Sequence, residues 1–149
     1  DDFSGQPGVP NQFGLLGGIA NEIESAKRPL SSMTPTIVFA NDEPFLAIGS
    51  PGGSRIITAV LQIILNVIDF EQSLEEATDS KRVHHQWYPD DIDIEEAYSQ
   101  INELMDMGYM IDIIDTATCT QSIMIDAGEF IGVSDLRRPD SLALGVKND

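Results

Sequence analysis

Hydrophobic and polar positions change period several times along the chain, and each change marks a predicted element. Thr36-Ile37-Val38-Phe39 and Phe45-Leu46-Ala47-Ile48 are β-type runs, and Asn41-Asp42-Glu43-Pro44 between them is turn chemistry, so the pair predicts a hairpin. The second strand runs into Pro51-Gly52-Gly53, and from Arg55 to Phe70 the period becomes helical. Ile56, Ile57, Val60, Leu61, Ile63, Ile64, Leu65, Val67 and Ile68 cover most of that helix, while Thr58, Gln62, Asn66 and Asp69 share one polar stripe. Such a helix is expected to be buried on most sides, between a sheet and neighbouring protein.

Further on, Ser73-Leu74-Glu75-Glu76 has the spacing of a capping box and predicts a second, short helix. Ile92 and Ile94 alternate with acids as in an edge strand. Residues 96–107 are helical in type, and Gly108 suits a C-terminal cap. Residues 110–114, 122–125 and 130–133 read as strands, the last two joined across Asp126-Ala127-Gly128-Glu129. Hairpin, helices and a further hairpin make an α+β pattern with antiparallel pairing. Residues 1–35 are punctuated by Gly and Pro, yet Phe3, Phe13, Leu15, Leu16 and Ile19 are more apolar than a solvated linker carries, so this loop is expected to pack against a larger body.

The 149 residues, 42% of them hydrophobic, suffice for one domain. The chain starts at Asp1-Asp2-Phe3-Ser4 without an initiator Met or an evident first element, and is expected to be a subunit fragment or partial sequence. Acidic residues number 25 against 8 basic, a net charge of −17 that repels phosphate backbones and anionic lipid. Nucleic acid is therefore not an expected partner. No apolar run reaches the ~18–20 residues that span a bilayer, so no membrane insertion is expected either. The acidic run 90–96 reads as a solvated surface, lacking the glycine and spacing of a calcium loop. Cys119, the single cysteine, lies in a β-prone stretch without a basic neighbour and reads as core or near-core. His84-His85-Gln86-Trp87 invites a metal reading, but adjacent side chains diverge and no third ligand is placed by spacing. A structural cluster around Trp87 is the expectation, with no metal and no cofactor.

Two motifs carry the candidate chemistry. Pro51-Gly52-Gly53-Ser54-Arg55-Ile56 turns a strand into a helix and presents glycine N–H groups to a negative oxygen, either a phosphate or the oxyanion of acyl transfer. The spacings of a P-loop and of a dinucleotide fingerprint are both absent, which disfavours a nucleotide. Pro29-Leu30-Ser31-Ser32-Met33 places two hydroxyls together. Neither lies in a nucleophile elbow or a Ser-x-x-Lys motif, so Ser31 and Ser32 are not read as nucleophiles.

The order of motifs adds a resemblance. Asp1-Asp2-Phe3-Ser4, residues 27–36 with Arg28-Pro29-Leu30-Ser31-Ser32-Met33, residues 49–57 with Pro51-Gly52-Gly53-Ser54-Arg55, residues 82–90 with His84-His85-Gln86-Trp87, and Thr120-Gln121-Ser122-Ile123 through Ser134-Asp135 resemble the small subunit of gamma-glutamyltransferase (gamma-glutamyl transpeptidase). The likeness covers nearly the whole chain. It departs at Leu136, where the family usually has proline, and at the doubled Arg137-Arg138.

The resemblance implies part of an αββα sandwich of the N-terminal-nucleophile hydrolase type, made as a self-cleaving precursor, with residues 1–35 forming a pocket loop and 36–149 the strands and helices. It implies cleavage of the γ-glutamyl bond of glutathione or related compounds and transfer to water, an amino acid or a peptide. Asp2 would accept from the substrate α-ammonium, Ser31 and Ser32 would bind its α-carboxylate, and Gly52 and Gly53 would form the oxyanion hole. The family's nucleophilic threonine lies upstream of the Asp-Asp-Phe motif, so the chain alone is expected to be inactive and to need the large subunit. Export to the periplasm or cell exterior is implied as well. The alternatives are a sibling acylase, acting on cephalosporin side chains or capsule poly-γ-glutamate, and a non-catalytic anion-binding module.

Overall fold

The computed structural model describes residues 3–146. In order, the chain forms β1 (Thr36–Ala40), β2 (Glu43–Gly49), α1 (Arg55–Ile68), α2 (Leu74–Asp79), β3 (Val83–His84), β4 (Ile92–Glu95), α3 (Ile101–Asp106), β5 (Ile111–Ile114), β6 (Gln121–Asp126) and β7 (Glu129–Ser134). Strands β1-β2-β6-β7 make an antiparallel sheet and β3-β4-β5 a smaller one.

Both predicted hairpins form, and both close through a two-residue left-handed turn. Asn41 and Asp42 have φ of 52° and 66°, and Ala127 and Gly128 have 47° and 85°. Such turns match the right-handed twist of the strands they join. Pro44 has no N–H to donate, and beside it the β1–β2 register slips between Val38 and Phe39.

Ile56, Val60 and Ile63 of α1 pack with Leu46 and Ile48 of β2 and with Leu74 and Ala77 of α2 into one buried cluster. Burying each large aliphatic side chain contributes roughly 1.5–3 kcal/mol, so this face is what docks the helix. Burial on most sides is not found within the chain. Ile57, Leu61, Leu65 and Ile68 are exposed, because the sheet and α2 cover one side of a helix that is apolar nearly all round. The capping box forms as predicted: Ser73 Oγ accepts from the Glu76 N–H at 3.2 Å, and Glu76 Oε2 accepts from the Ser73 N–H at 2.9 Å.

The second sheet corrects two expectations. β4 is central, not an edge, and its pairing with β5 is parallel, with α3 in the crossover. The acids that alternate with Ile92 and Ile94 suggested a solvated face, but Asp93 is paired with Arg55 of α1 and Glu95 is buried. α3 begins five residues later than predicted, since Ala97 has a φ of 66° and interrupts helical backbone. It ends at Gly108, φ 93°, as the sequence suggested.

On the sheet face opposite α1, Ile37, Ala47, Ile123 and Gly132 form one cross-strand row. Ile37, Ile123 and neighbouring Phe130 are exposed there. Helices on one face and an open apolar second face correspond to half of an αββα sandwich.

Candidate functional site

Strand pairing gathers the candidate motifs at one end of the larger sheet. Thr36 pairs with Ile48, so Ser32, four residues before Thr36, and Gly52, four residues after Ile48, leave the hairpin at the same end. Gly49 pairs in turn with Gln121, which brings the segment preceding β6 against the loop that leaves β2.

In that loop Gly52 has a φ of 132° and Gly53 of 60°, conformations that disfavour any side chain. Space excludes one too. A Cβ on Gly52 would lie 2.5 Å from Thr118 Oγ1, and a Cβ on Gly53 would lie 2.7 Å from the Phe13 ring. The two carbonyls accept from the N–H groups of Arg55 and Ile56 at 3.3 and 3.2 Å and so open α1. Their own N–H groups have no acceptor among the described residues. The first turn of α1 also carries no acid to offset its positive end. Two adjacent backbone donors beside a helix N-terminus are suited to an oxygen that becomes negative during reaction.

The loop is held from both flanks. Thr118 Oγ1 donates to the Pro51 carbonyl, and Ser50 Oγ lies 2.7 Å from Thr118 Oγ1 and from the Cys119 carbonyl. On the other flank Ser54 does not cap α1 but donates to Gln86 Oε1 at 2.6 Å, and Gln86 Nε2 donates to the Phe13 carbonyl at 2.8 Å. His84 Nε2 reaches the same Gln86 oxygen at 3.0 Å, while its Nδ1 meets Thr58 Oγ1 at 2.8 Å. An amide oxygen accepts, so His84 donates from Nε2, while Thr58 Oγ1, which also donates to the Arg55 carbonyl at 3.2 Å, stands against Nδ1. Buried His84 thus joins this scaffold, whereas His85 turns outward to Asp90 at 3.1 Å. The expected cluster around Trp87 is not found. Trp87 is 77% exposed, and Gln86 takes the hub position instead.

Behind Thr118 lies a feature that sequence reasoning missed, two guanidiniums and two carboxylates packed together, with Arg82, Glu95 and Asp135 buried and Arg137 half-buried. Arg82 Nη2 is 2.8 Å from Asp135 Oδ2, and Arg137 reaches Glu95 Oε2 at 2.5 Å and Asp135 Oδ1 at 3.1 Å. Arg82 and Arg137 also donate to the Thr78 carbonyl, at 2.7 and 2.8 Å, supplying cations to the C-terminal end of α2, whose last turn has none. Burial pushes both carboxyls up, but it is outweighed. Arg137 and the Ala117 N–H hold Glu95 below the usual carboxylate range, and the Thr120 N–H and Arg82 do the same for Asp135. Burial, together with repulsion by Arg137, lowers the Arg82 guanidinium, whereas the bonds to Glu95 raise that of Arg137 despite burial. Leu136, the departure from the family pattern, points to solvent between buried Asp135 and half-buried Arg137. The sequence signal available for this cluster was the Asp135-Leu136-Arg137 alternation.

Ser31 is exposed and Ser32 half-buried. Ser31 Oγ accepts from the Met33 N–H at 3.2 Å, which leaves its own proton to donate. Asp2 lies outside the described residues. Cys119 is half-buried and contributes its carbonyl to the Ser50 contact. The larger concavity, about 1110 Å³, is not at this site but on the open sheet face, between Ile37, Ile123 and Phe130 and the segment 142–146. A smaller one of about 200 Å³ lies among Phe13, Arg55, His84, Gln86 and Asp93.

The fold has counterparts among solved structures. The Helicobacter pylori gamma-glutamyltranspeptidase T380A mutant superposes with a TM-score of 0.86 at 46% identity, over 92% of this chain and 77% of that one. The Pseudomonas nitroreducens gamma-glutamyltranspeptidase complexed with L-DON gives 0.89 at 40% identity, over 99% and 79%. The glutathione hydrolase proenzyme of Escherichia coli is 48% identical over 148 residues, 97% of this chain, and the chain spans only 26% of that protein's length. The Gamma-glutamyltranspeptidase family profile matches residues 1–145. A helix-covered sheet ending in paired glycines, within a chain that this profile matches over nearly its whole length, places the chain in the gamma-glutamyltranspeptidase family, with the α+β fold of the N-terminal-nucleophile hydrolases.

Proposed function

We propose that this chain supplies the oxyanion hole and part of the γ-glutamyl-binding site of an enzyme that cleaves glutathione and related γ-glutamyl compounds. The observation that carries the reading is the Gly52-Gly53 pair, whose N–H groups have no acceptor among the described residues at the positive end of α1. A threonine hydroxyl from outside this chain attacks the γ-carbonyl. The carbonyl oxygen takes up negative charge and receives the two glycine N–H groups, which match that charge better than the neutral ground-state oxygen. Collapse expels the amine, which leaves with the proton from the threonine hydroxyl, and a γ-glutamyl-threonine ester remains. Water, an amino acid or a peptide then takes the acyl group, so that two easier steps replace one difficult displacement.

Substrate recognition falls to the other motif. Ser31 and Ser32 donate to the α-carboxylate, and Asp2 accepts from the α-ammonium, so the two ends of the zwitterion meet groups of the opposite character. The rest of the pocket comes from a large subunit of the same precursor, which also covers the open face of the sheet. The assembled enzyme works in the periplasm or outside the cell. Among the described residues no helix is long and apolar enough to cross a membrane.

The test is hydrolysis of γ-glutamyl-p-nitroanilide by the complete protein, alongside the glutaryl anilide that lacks the α-ammonium. Release of p-nitroaniline from the first and not the second is expected. Equal cleavage of both would remove Asp2 from the recognition site, and cleavage of neither would sink the reading as a whole.

A further inference from the structure

We infer that Thr118 is a positioning residue that latches the oxyanion loop, by fixing the plane of the peptide that joins Pro51 to Gly52. The inference rests on the proposed role of the Gly52 N–H. The Pro51 carbonyl and the Gly52 N–H belong to one planar trans unit, on opposite edges of which they point in opposite directions. A hydrogen bond that fixes the carbonyl therefore aims the N–H. Thr118 Oγ1 makes that bond. Without it Ser50 Oγ, 2.7 Å from the same carbonyl, is left to hold the unit, and Gly52, at a φ of 132°, has access to regions closed to other residues, so the peptide can turn over more readily. A turned peptide would present a carbonyl oxygen to the developing oxyanion, replacing attraction by repulsion.

The latch is backed on each side. Ser50 Oγ stands 2.7 Å from Thr118 Oγ1, from the Pro51 carbonyl and from the Cys119 carbonyl, so two hydroxyl protons are shared among these oxygens. The Thr118 backbone is tied to the buried charges: its carbonyl accepts from Arg82 Nη1 at 2.7 Å, the Ala117 N–H donates to Glu95 at 3.0 Å and the Thr120 N–H to Asp135 at 2.8 Å. Thr118 is itself buried, and its side chain occupies the space that a Cβ on Gly52 would need. The hydroxyl therefore has a fixed post behind it and a single movable peptide in front.

Thr118→Val in the complete protein removes the hydroxyl and keeps the volume. Expected is a fall in kcat for γ-glutamyl-p-nitroanilide of about 10-fold or more, with KM within about 2-fold, since the latch acts on a bond made only in the transition state. Affinity for a γ-boronate analogue of glutamate, which forms a tetrahedral anion, should fall in parallel, and affinity for glutamate should not. Thr118→Ser restores the hydroxyl and should recover most of the rate. Ser50→Ala, which disturbs folding less, should give a smaller loss of kcat, again without a change in KM. An unchanged kcat in both Thr118→Val and Ser50→Ala overturns the latch, as does a loss in Thr118→Ser equal to that in Thr118→Val. Absence of γ-glutamyl hydrolysis in the unaltered protein would strike instead at the function on which the latch rests.

Discussion

The Gly52-Gly53 loop and the Ser31-Ser32 segment reach the same end of the sheet but differ in how the groups that would meet substrate are held. The glycine loop is tied to four other parts of the chain: Thr118 before β6, Phe13 in the N-terminal loop, Gln86 after β3, and α1, which it opens. In the serine segment, Ser31 is exposed, its hydroxyl accepts from Met33 two residues on, Thr34 Oγ1 donates to the Ser32 carbonyl at 2.8 Å, and the Leu30 N–H donates to Asn21 Oδ1 at 3.0 Å. Donors that stabilise a transition state must be fixed before the reaction, whereas a substrate clamp tolerates adjustment as the ligand arrives. The contrast divides the proposed labour, with rate on the glycine side and affinity on the serine side.

The strongest way to break that contrast is to remove the support behind the glycine loop. Asp135→Asn keeps the shape but leaves Arg82 and Arg137 short of a counter-charge, and one partner lost from a buried ion cluster typically costs ~3–5 kcal/mol. Urea unfolding of the assembled protein measures it, and a loss below about 1 kcal/mol would mean that the cluster is not what stiffens the loop. Acid should act in the same direction. Glu95 and Asp135 titrate below their ordinary range in the folded chain, so the stability they contribute is present above that range and is lost as pH falls below about 4.

A smaller, more local effect is expected of Gly53→Ala. Its Cβ would meet Phe13 Cε1 and Cζ at 2.7 Å, and alanine is disfavoured at a φ of 60°. The donor then shifts away from the oxyanion, and kcat should fall by about 100-fold, the scale of losing one such donor. Adding Phe13→Ala should return part of the rate, because it relieves the contact and not the backbone. A double variant as slow as the single one would place the whole effect in the backbone.

What the sequence disclosed follows from how local each determinant is. The two hairpins, the Ser73 capping box and the Gly108 stop each depend on a few adjacent residues and were legible. The strand-to-helix turn at Gly52-Gly53 was legible for the same reason, and motif order led to the family. The misplacement of β4 had a physical cause: alternating isoleucine and acid describes a solvated strand equally well as one whose acids meet arginines from elsewhere. Arg82 and Asp135 lie 53 positions apart, and in so acidic a chain nothing marks one aspartate as buried. Thr118 was hidden among β-prone threonines, since its role depends on the β2–β6 pairing that brings it to Pro51.

The smallest effect tests the serine side and sharpens the division most. Ser31→Ala removes a donor that the proposed pocket offers to a carboxylate, a charged hydrogen bond worth ~1.5–3 kcal/mol in net terms. The substrate α-carboxylate lies at the far end from the reacting carbonyl, and its charge does not change as the tetrahedral intermediate forms. The lost bond should therefore weaken ground state and transition state alike. That loss predicts a KM raised by about 10-fold and a kcat within about 2-fold, measured with γ-glutamyl-p-nitroanilide on the complete protein. A fall in kcat at constant KM would mean that Ser31 engages only as the oxyanion forms, so that affinity and rate are not divided between the two motifs.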